Sequence, residues 1–192
     1  MCTCSYGYEQ DDIKNFFIKR KFFVEYREKS YNILYMLKNI DKGESMNILV
    51  SACLLGLNCR YDGKGQPEQK VLDLIEKYNL IPVCPEVYGG LKTPRKPAEI
   101  KEGKVVTVLG EDVTENFLRG ARETLKIAEL FKCPYAILKE RSPSCGFGRV
   151  YDGTFSGKII FGNGITADLL DKKGIKVFNE NTFEKFLTEI EK

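Results

Sequence analysis

Cys53, Cys84 and Cys145 each follow a short apolar run and sit in a loop containing Gly or Pro. Side chains that leave neighbouring parallel strands at the same end converge on one crevice, so three thiolates far apart in sequence can share a site. The chain has no histidine, which removes Ser-His-Asp and Cys-His catalysis and the usual proton carrier near neutral pH. Soft sulfur ligands select iron-sulfur clusters, zinc or copper(I), and without imidazole a mixed nitrogen and sulfur site is excluded. The choice narrows to iron-sulfur or thiolate zinc. Structural zinc usually takes paired ligands two to four residues apart, and Cys2-x-Cys4 is the nearest approach to such a pair. Scattered ligands therefore argue against a zinc knuckle. Cys59 is a candidate fourth ligand, which would close the site as a structural or electron-carrying cluster. Without it, a cubane on three cysteines keeps one open iron. A free cysteine is also a small hydrophobe that packs well in cores, so each of these positions has a bland reading too.

The same loops hold polar groups suited to catalysis. Cys84-Pro-Glu86 puts a carboxylate two residues from a thiol, and Glu86 is the best acid or base candidate in a histidine-free site. Ser142-Pro-Ser144-Cys145-Gly146 brings two hydroxyls to the third cysteine, although Ser-Pro sequences commonly form turns. Arg60, Asp62, Arg95 and Glu99 lie nearby and can orient a polar substrate or simply be solvated. Gly162-Asn-Gly164 precedes a helix but matches neither a Walker loop nor the G-x-G-x-x-G fingerprint. No nucleotide cofactor is assigned.

The elements that must position these groups follow from periodicity. From Met46 onward, short apolar strands alternate with amphipathic helices. Strands are expected at 47–52, 80–83, 135–138 and 174–177, with helices over 67–78, from Asp112 or Thr114 to Lys132, and over 166–172 and 182–190. On the 112–132 helix, Phe117, Leu118, Ala121, Leu125, Ala128 and Leu130 are expected to face inward. A weak hairpin signal falls at 105–108. Pro82 places the second strand at a sheet edge. This alternation predicts an α/β fold, three-layered and Rossmann-like, with a mostly parallel sheet between flanking helices. Residues 1–45 read as a helical N-terminal extension, with aromatic residues at helical spacing among Lys and Glu, ahead of an α/β domain over 46–192.

The 192 residues, 43% apolar and 30% charged, match globular averages and argue against disorder or a repeat architecture. The apolar runs fall far short of the ~20 residues needed to span a bilayer. Thirty basic residues interleave with twenty-seven acidic ones for a net charge of +3, which gives no footprint for a nucleic acid polymer. Seven cysteines without a secretory leader pattern suit a reducing cytoplasm, where thiols serve metals or catalysis more often than disulfides.

Three motifs narrow the reading. Ser51-Ala-Cys-Leu-Leu-Gly56 with Cys59-Arg-Tyr-Asp-Gly63, Cys84-Pro-Glu-Val-Tyr-Gly-Gly-Leu91 with Pro94-Arg-Lys-Pro-Ala-Glu99, and Leu138-Lys-Glu-Arg-Ser-Pro-Ser-Cys-Gly146 occur in that order. Together they resemble the thiouracil desulfidase family, long catalogued as domain-of-unknown-function family 523, over residues 46–192. The resemblance implies a 4Fe-4S cluster bound by Cys53, Cys84 and Cys145, with Cys59 at a position where the family does not require cysteine. It also implies catalytic roles for Glu86 and Ser142. In the implied non-redox reaction the open iron acts as a Lewis acid on the sulfur of a small thiolated substrate such as 2-thiouracil. Glu86 activates water or relays a proton, and Ser142 assists. Two other readings stay open: an iron-sulfur sulfide carrier or binding module serving a partner enzyme, and a thiol redox protein using Cys53 and Cys59.

Overall fold

Short runs of consecutive apolar residues, such as those at 48–50 and 136–138, are buried on both faces inside a parallel sheet covered by helices on each side. The computed structural model describes residues 45–190 and has that arrangement. Strands β1 (Asn47–Ser51), β2 (Asn79–Val83), β5 (Tyr135–Leu138) and β8 (Lys176–Asn179) form one sheet in the order β2-β1-β5-β8. All three pairings are parallel, with Ser51 opposite Val83, Val50 opposite Ile137 and Leu138 opposite Asn179. β2, with its Pro82, lies at an edge as expected. The helical extension expected over residues 1–45 lies outside the described residues except for Ser45.

Alternation along the strands divides the core between the two faces. Leu49, Ala136, Leu138 and Val177 pack under α3 (Thr114–Leu130) and α4 (Ile165–Lys172), through Ala128, Ala167 and Leu170. Ile48, Val50 and Ile137 face the other way, against Val71 of α1 (Gln69–Asp73) and Phe183 and Phe186 of α5 (Phe183–Ile190). Phe186 is fully buried and meets Phe178 edge-on, with ring centroids 5.6 Å apart. Burying one such side chain stabilises the fold by about 1.5–3 kcal/mol.

Three details differ from the periodicity. The helix expected over 67–78 is α1 followed by a 3-10 turn at Leu74–Glu76, since Val71 and Leu74 alone are buried along it. The last strand begins at Lys176, two residues later than expected, after the turn that ends α4. On α3, Leu130 is exposed, because the buried stripe runs through Phe117, Gly120, Ala121, Thr124 and Ala128. Two small antiparallel hairpins decorate the sheet: β3 (Ala98–Lys101) with β4 (Lys104–Thr107), and β6 (Arg149–Tyr151) with β7 (Ile159–Phe161).

The small residues on α3 have a positional purpose. A Cβ built on Gly120 would lie 1.9 Å from the carbonyl oxygen of Pro85. The short helix α2 (Pro85–Tyr88) can therefore sit against α3, held also by the Asn116 amide donating to the Gly89 carbonyl at 2.9 Å. This contact fixes the Cys84-Pro85-Glu86 segment. Gly120→Ala is expected to destabilise the protein by about 1–3 kcal/mol through overpacking, read from the midpoint of chemical denaturation. An unchanged midpoint would show that α2 has room to move.

Candidate active site

In an open parallel sheet the chain direction reverses where successive crossovers leave a strand on opposite sides, and the crevice there is the usual site. Here the chain passes from β1 to β2 on one side and then to β5 on the other. Cys53 lies in a 3-10 turn at Ala52–Leu55 directly after β1. Its carbonyl accepts hydrogen bonds from the N–H groups of Gly56 and Gln66, at 3.1 and 2.8 Å. Cys84 is the residue before α2, where Pro85 occupies the first helical position. Cys145 follows β5 in a loop pinned on both sides. The carbonyls of Pro143, Ser144 and Gly146 accept N–H groups from Ile165, Thr166 and Gly164 at the start of α4. A Cβ on Gly164 would stand 2.5 Å from the Ser144 carbonyl, so only glycine permits this approach.

The three cysteines open onto one cavity of about 460 Å³, together with Cys59, Glu86, Arg95 and Ser142, a size suited to a small molecule. Cys59 stands among the other thiols. Its hydrogen bond with Cys53, and then burial, push its thiol up to about 11, against an opposing contact from Cys84. The hydrogen bond to Cys59 and burial also raise Cys84. Burial brings Cys145 to about 12, partly offset by the Ser51 hydroxyl. These thiols hold their protons near neutral pH unless a cation displaces them, so metal loading must release protons.

Glu86 is fixed from two directions. Arg95 Nε donates to Oε2 at 2.7 Å, with the Arg95 side chain 8% and the Glu86 side chain 17% exposed. Arg95 Nη1 is in turn held by the Cys59 carbonyl at 3.0 Å. The Ser142 hydroxyl donates to Glu86 Oε1 at 3.4 Å while accepting the N–H groups of Ser144 and Cys145, each at 3.1 Å. Ser142 is thus both a turn former and a neighbour of the carboxylate.

The two serines of the motif part company. Ser144 is fully buried, and its Oγ meets Thr166 Oγ1 at 2.9 Å. Ser144→Ala is therefore expected to lower stability by about 1–2 kcal/mol by leaving Thr166 unpaired, with turnover largely kept. Ser142→Ala is expected to cut turnover at least tenfold with a smaller loss of stability. Thermal melts beside rate measurements separate the two, and reversed effects would exchange their roles.

The donor set can be tested against what it could hold. Among the described residues, no three Cys, Asp or Glu side chains close around the position of a single ion. A cubane takes one thiolate per iron, so its ligands stand apart around a larger body. Three cysteines from adjacent strand ends fit that requirement better than they fit a lone zinc.

Residues 48–182 match the 2-thiouracil desulfurase family. The chain belongs to that family. A solved structure described as a 4Fe-4S-dependent thiouracil desulfidase, TudS, superposes with a TM-score of 0.72 at 43% identity, covering 77% of this chain and 99% of that one. The uncharacterized protein YbbK of Bacillus subtilis (strain 168) is 46% identical over 150 residues, 73% of this chain and 99% of its own length.

The other loop charges of this desulfurase-family chain are sorted by the structure. Arg60 pairs with Asp62 at 3.3 Å and hydrogen-bonds Gln66, closing its own loop. Arg95 holds Glu86, and Glu99 lines the cavity. Sequence reasoning missed Ser51, whose Oγ accepts the Lys139 N–H at 2.9 Å; a polar residue ending an apolar strand just before Cys53 was its signal. It also missed Tyr151 and Phe155, which reach the cavity from the β6–β7 hairpin, and nothing local in the sequence marks them. Among the described residues, no helix is long and apolar enough to cross a membrane.

Proposed function

We propose that this chain is a 4Fe-4S-dependent desulfidase that takes sulfur from a small thiolated nucleobase such as 2-thiouracil. Cys53, Cys84 and Cys145 would hold the cluster. When bound, the cluster supplies a Lewis-acidic iron for the substrate's sulfur. The observation that carries the reading is the meeting, in one cavity, of thiols from three adjacent strand ends with the Arg95-anchored carboxylate of Glu86.

The reaction needs no electrons. Water adds to the thiocarbonyl carbon, Glu86 Oε1 takes a proton from it, the C–S bond breaks, and hydrogen sulfide departs as the C=O bond forms. Arg95 keeps Oε2 engaged, which leaves Oε1 turned to the Ser142 hydroxyl. Ser142 holds that oxygen in place and can pass a proton along the cavity wall. The apolar lining from Val83, Pro97, Ala98 and Val108 limits competing water.

The supporting fold is read as a three-layer, Rossmann-like domain over 46–192, and the unpaired thiols suit a reducing cytoplasm. The test is anaerobic incubation of the cluster-loaded chain with 2-thiouracil and no added reductant. Uracil and sulfide in equal amounts are expected. Sulfide bound by the protein without uracil formation would instead fit a carrier.

A further inference from the structure

Glu99 is a carboxylate on the cavity wall that the proposed chemistry leaves unused. It lies in β3, thirteen residues after Glu86, and is 8% exposed. One oxygen, Oε2, is occupied: it accepts the N–H groups of Gly153 and Phe155, at 2.9 and 3.0 Å. The other, Oε1, has no hydrogen-bond partner among the described residues. Among the described residues the only fully enclosed side-chain oxygen or nitrogen without a partner is Ser45 Oγ. Glu99 Oε1 is therefore not sealed off, and Glu99 is a residue of the cavity wall.

The segment that Glu99 grips is itself unusual. Phe155 has φ +58°, a left-handed conformation costly for a bulky side chain. The loop is pressed on β3 so closely that a Cβ on Gly153 would stand 2.6 Å from the Ile100 carbonyl. Phe155 and Tyr151 line the same cavity as the free oxygen. A buried carboxylate with one open lone-pair face, beside two aromatic rings, calls for a flat ligand with an N–H at its edge.

Resting on the desulfidase reading, we infer that Glu99 is a specificity-determining residue that accepts a ring N–H flanking the thiocarbonyl. The substrate class is then a planar cyclic thioamide or thiourea with at least one free N–H. Substrates methylated at that nitrogen leave the carboxylate unpaired and are rejected, and anionic thioacids are repelled by its charge. Lost hydrogen bonds to a buried charge weaken binding on the order of tenfold to a hundredfold.

Glu99→Gln is the sharp variant, because the amide oxygen can keep both loop N–H groups while the cavity now meets an NH₂ donor. With the cluster-loaded full chain, KM for 2-thiouracil is expected to rise at least tenfold while kcat falls less than threefold. Calorimetric binding of uracil, which needs no sulfur chemistry, is expected to weaken by a similar factor. The wild type is expected to bind either 1-methyl- or 3-methyl-2-thiouracil at least tenfold more weakly than the parent, a comparison that holds even if the variant fails to fold. Unchanged KM and uracil affinity in E99Q, or equal wild-type affinity for both methylated compounds and the parent, would overturn the inference. If the wild type releases no sulfide yet binds uracil in a Glu99-dependent way, the desulfidase reading fails and the role of Glu99 stands.

Discussion

Cys53→Ala, Cys84→Ala and Cys145→Ala are each expected to emerge colourless from anaerobic reconstitution with iron and sulfide, whereas Cys59→Ala and Cys133→Ala come out brown with about four irons per chain. The expectation follows from position. The first three cysteines lie in the segments that follow three neighbouring strands and share the cavity with Glu86 and Ser142. Removing one leaves a cluster with two anchors. Cys133 is buried at the opposite end of the sheet, before β5, where burial alone pushes its thiol up to about 11. It is a core residue and serves as the control. Cys59 is the discriminating case, since its thiol stands with Cys53 and Cys84. Retention of iron in Cys59→Ala supports three-point attachment with one iron left to substrate. Loss of iron would make Cys59 a fourth ligand and close the site, which would end the Lewis-acid account. Iron content and the visible absorption band decide between them.

Glu86→Ala is expected to keep the cluster and lose a factor of about 100 to 10,000 in turnover, the usual contribution of a positioned acid or base. Truncation also frees a nearly buried guanidinium, so stability is expected to drop as well. Glu86→Gln separates the effects: its amide oxygen can still accept from Arg95, restoring stability, but it cannot take a proton from water. Turnover is expected to stay low in both variants and the melting temperature to recover only in the second. Full activity in Glu86→Gln would remove proton transfer from the role of this residue and leave it a positioning group for Ser142.

The two variant sets bear on parts of the molecule that differ in how openly the sequence displays them. The sheet was legible because a strand buried on both faces needs an unbroken apolar run, and Asn47–Ser51 and Tyr135–Leu138 supply one. Pro82 correctly marked an edge, since it cannot donate to a neighbour. That Cys53, Cys84 and Cys145 would share one cavity was legible too, because each follows a strand and strand ends in a parallel sheet gather. What stayed hidden is non-local. The clamp of Arg95 on Glu86 depends on a loop folding back, and the pairing of Ser144 with Thr166 depends on α4 docking on the Cys145 loop. The β6–β7 hairpin was missed because its strands are three residues long and Ile159, Ile160 and Phe161 are exposed, so no buried pattern betrays them. Phe155 reaches the cavity through that hairpin, and its backbone strain is visible only once Glu99 is seen to hold it.

Hydrolytic, non-redox removal of sulfur in the cavity of Cys53, Cys84, Cys145 and Glu86 takes the new oxygen of the product from water. The most direct measurement is turnover of 2-thiouracil by the anaerobically loaded chain in ¹⁸O-labelled water, without reductant, followed by mass analysis of the uracil. One labelled oxygen per uracil is expected at the former thiocarbonyl carbon, with one sulfide released and the same chain inactive once stripped of iron. Unlabelled uracil, a requirement for added electrons, or equal activity in the iron-free chain would contradict this mechanism.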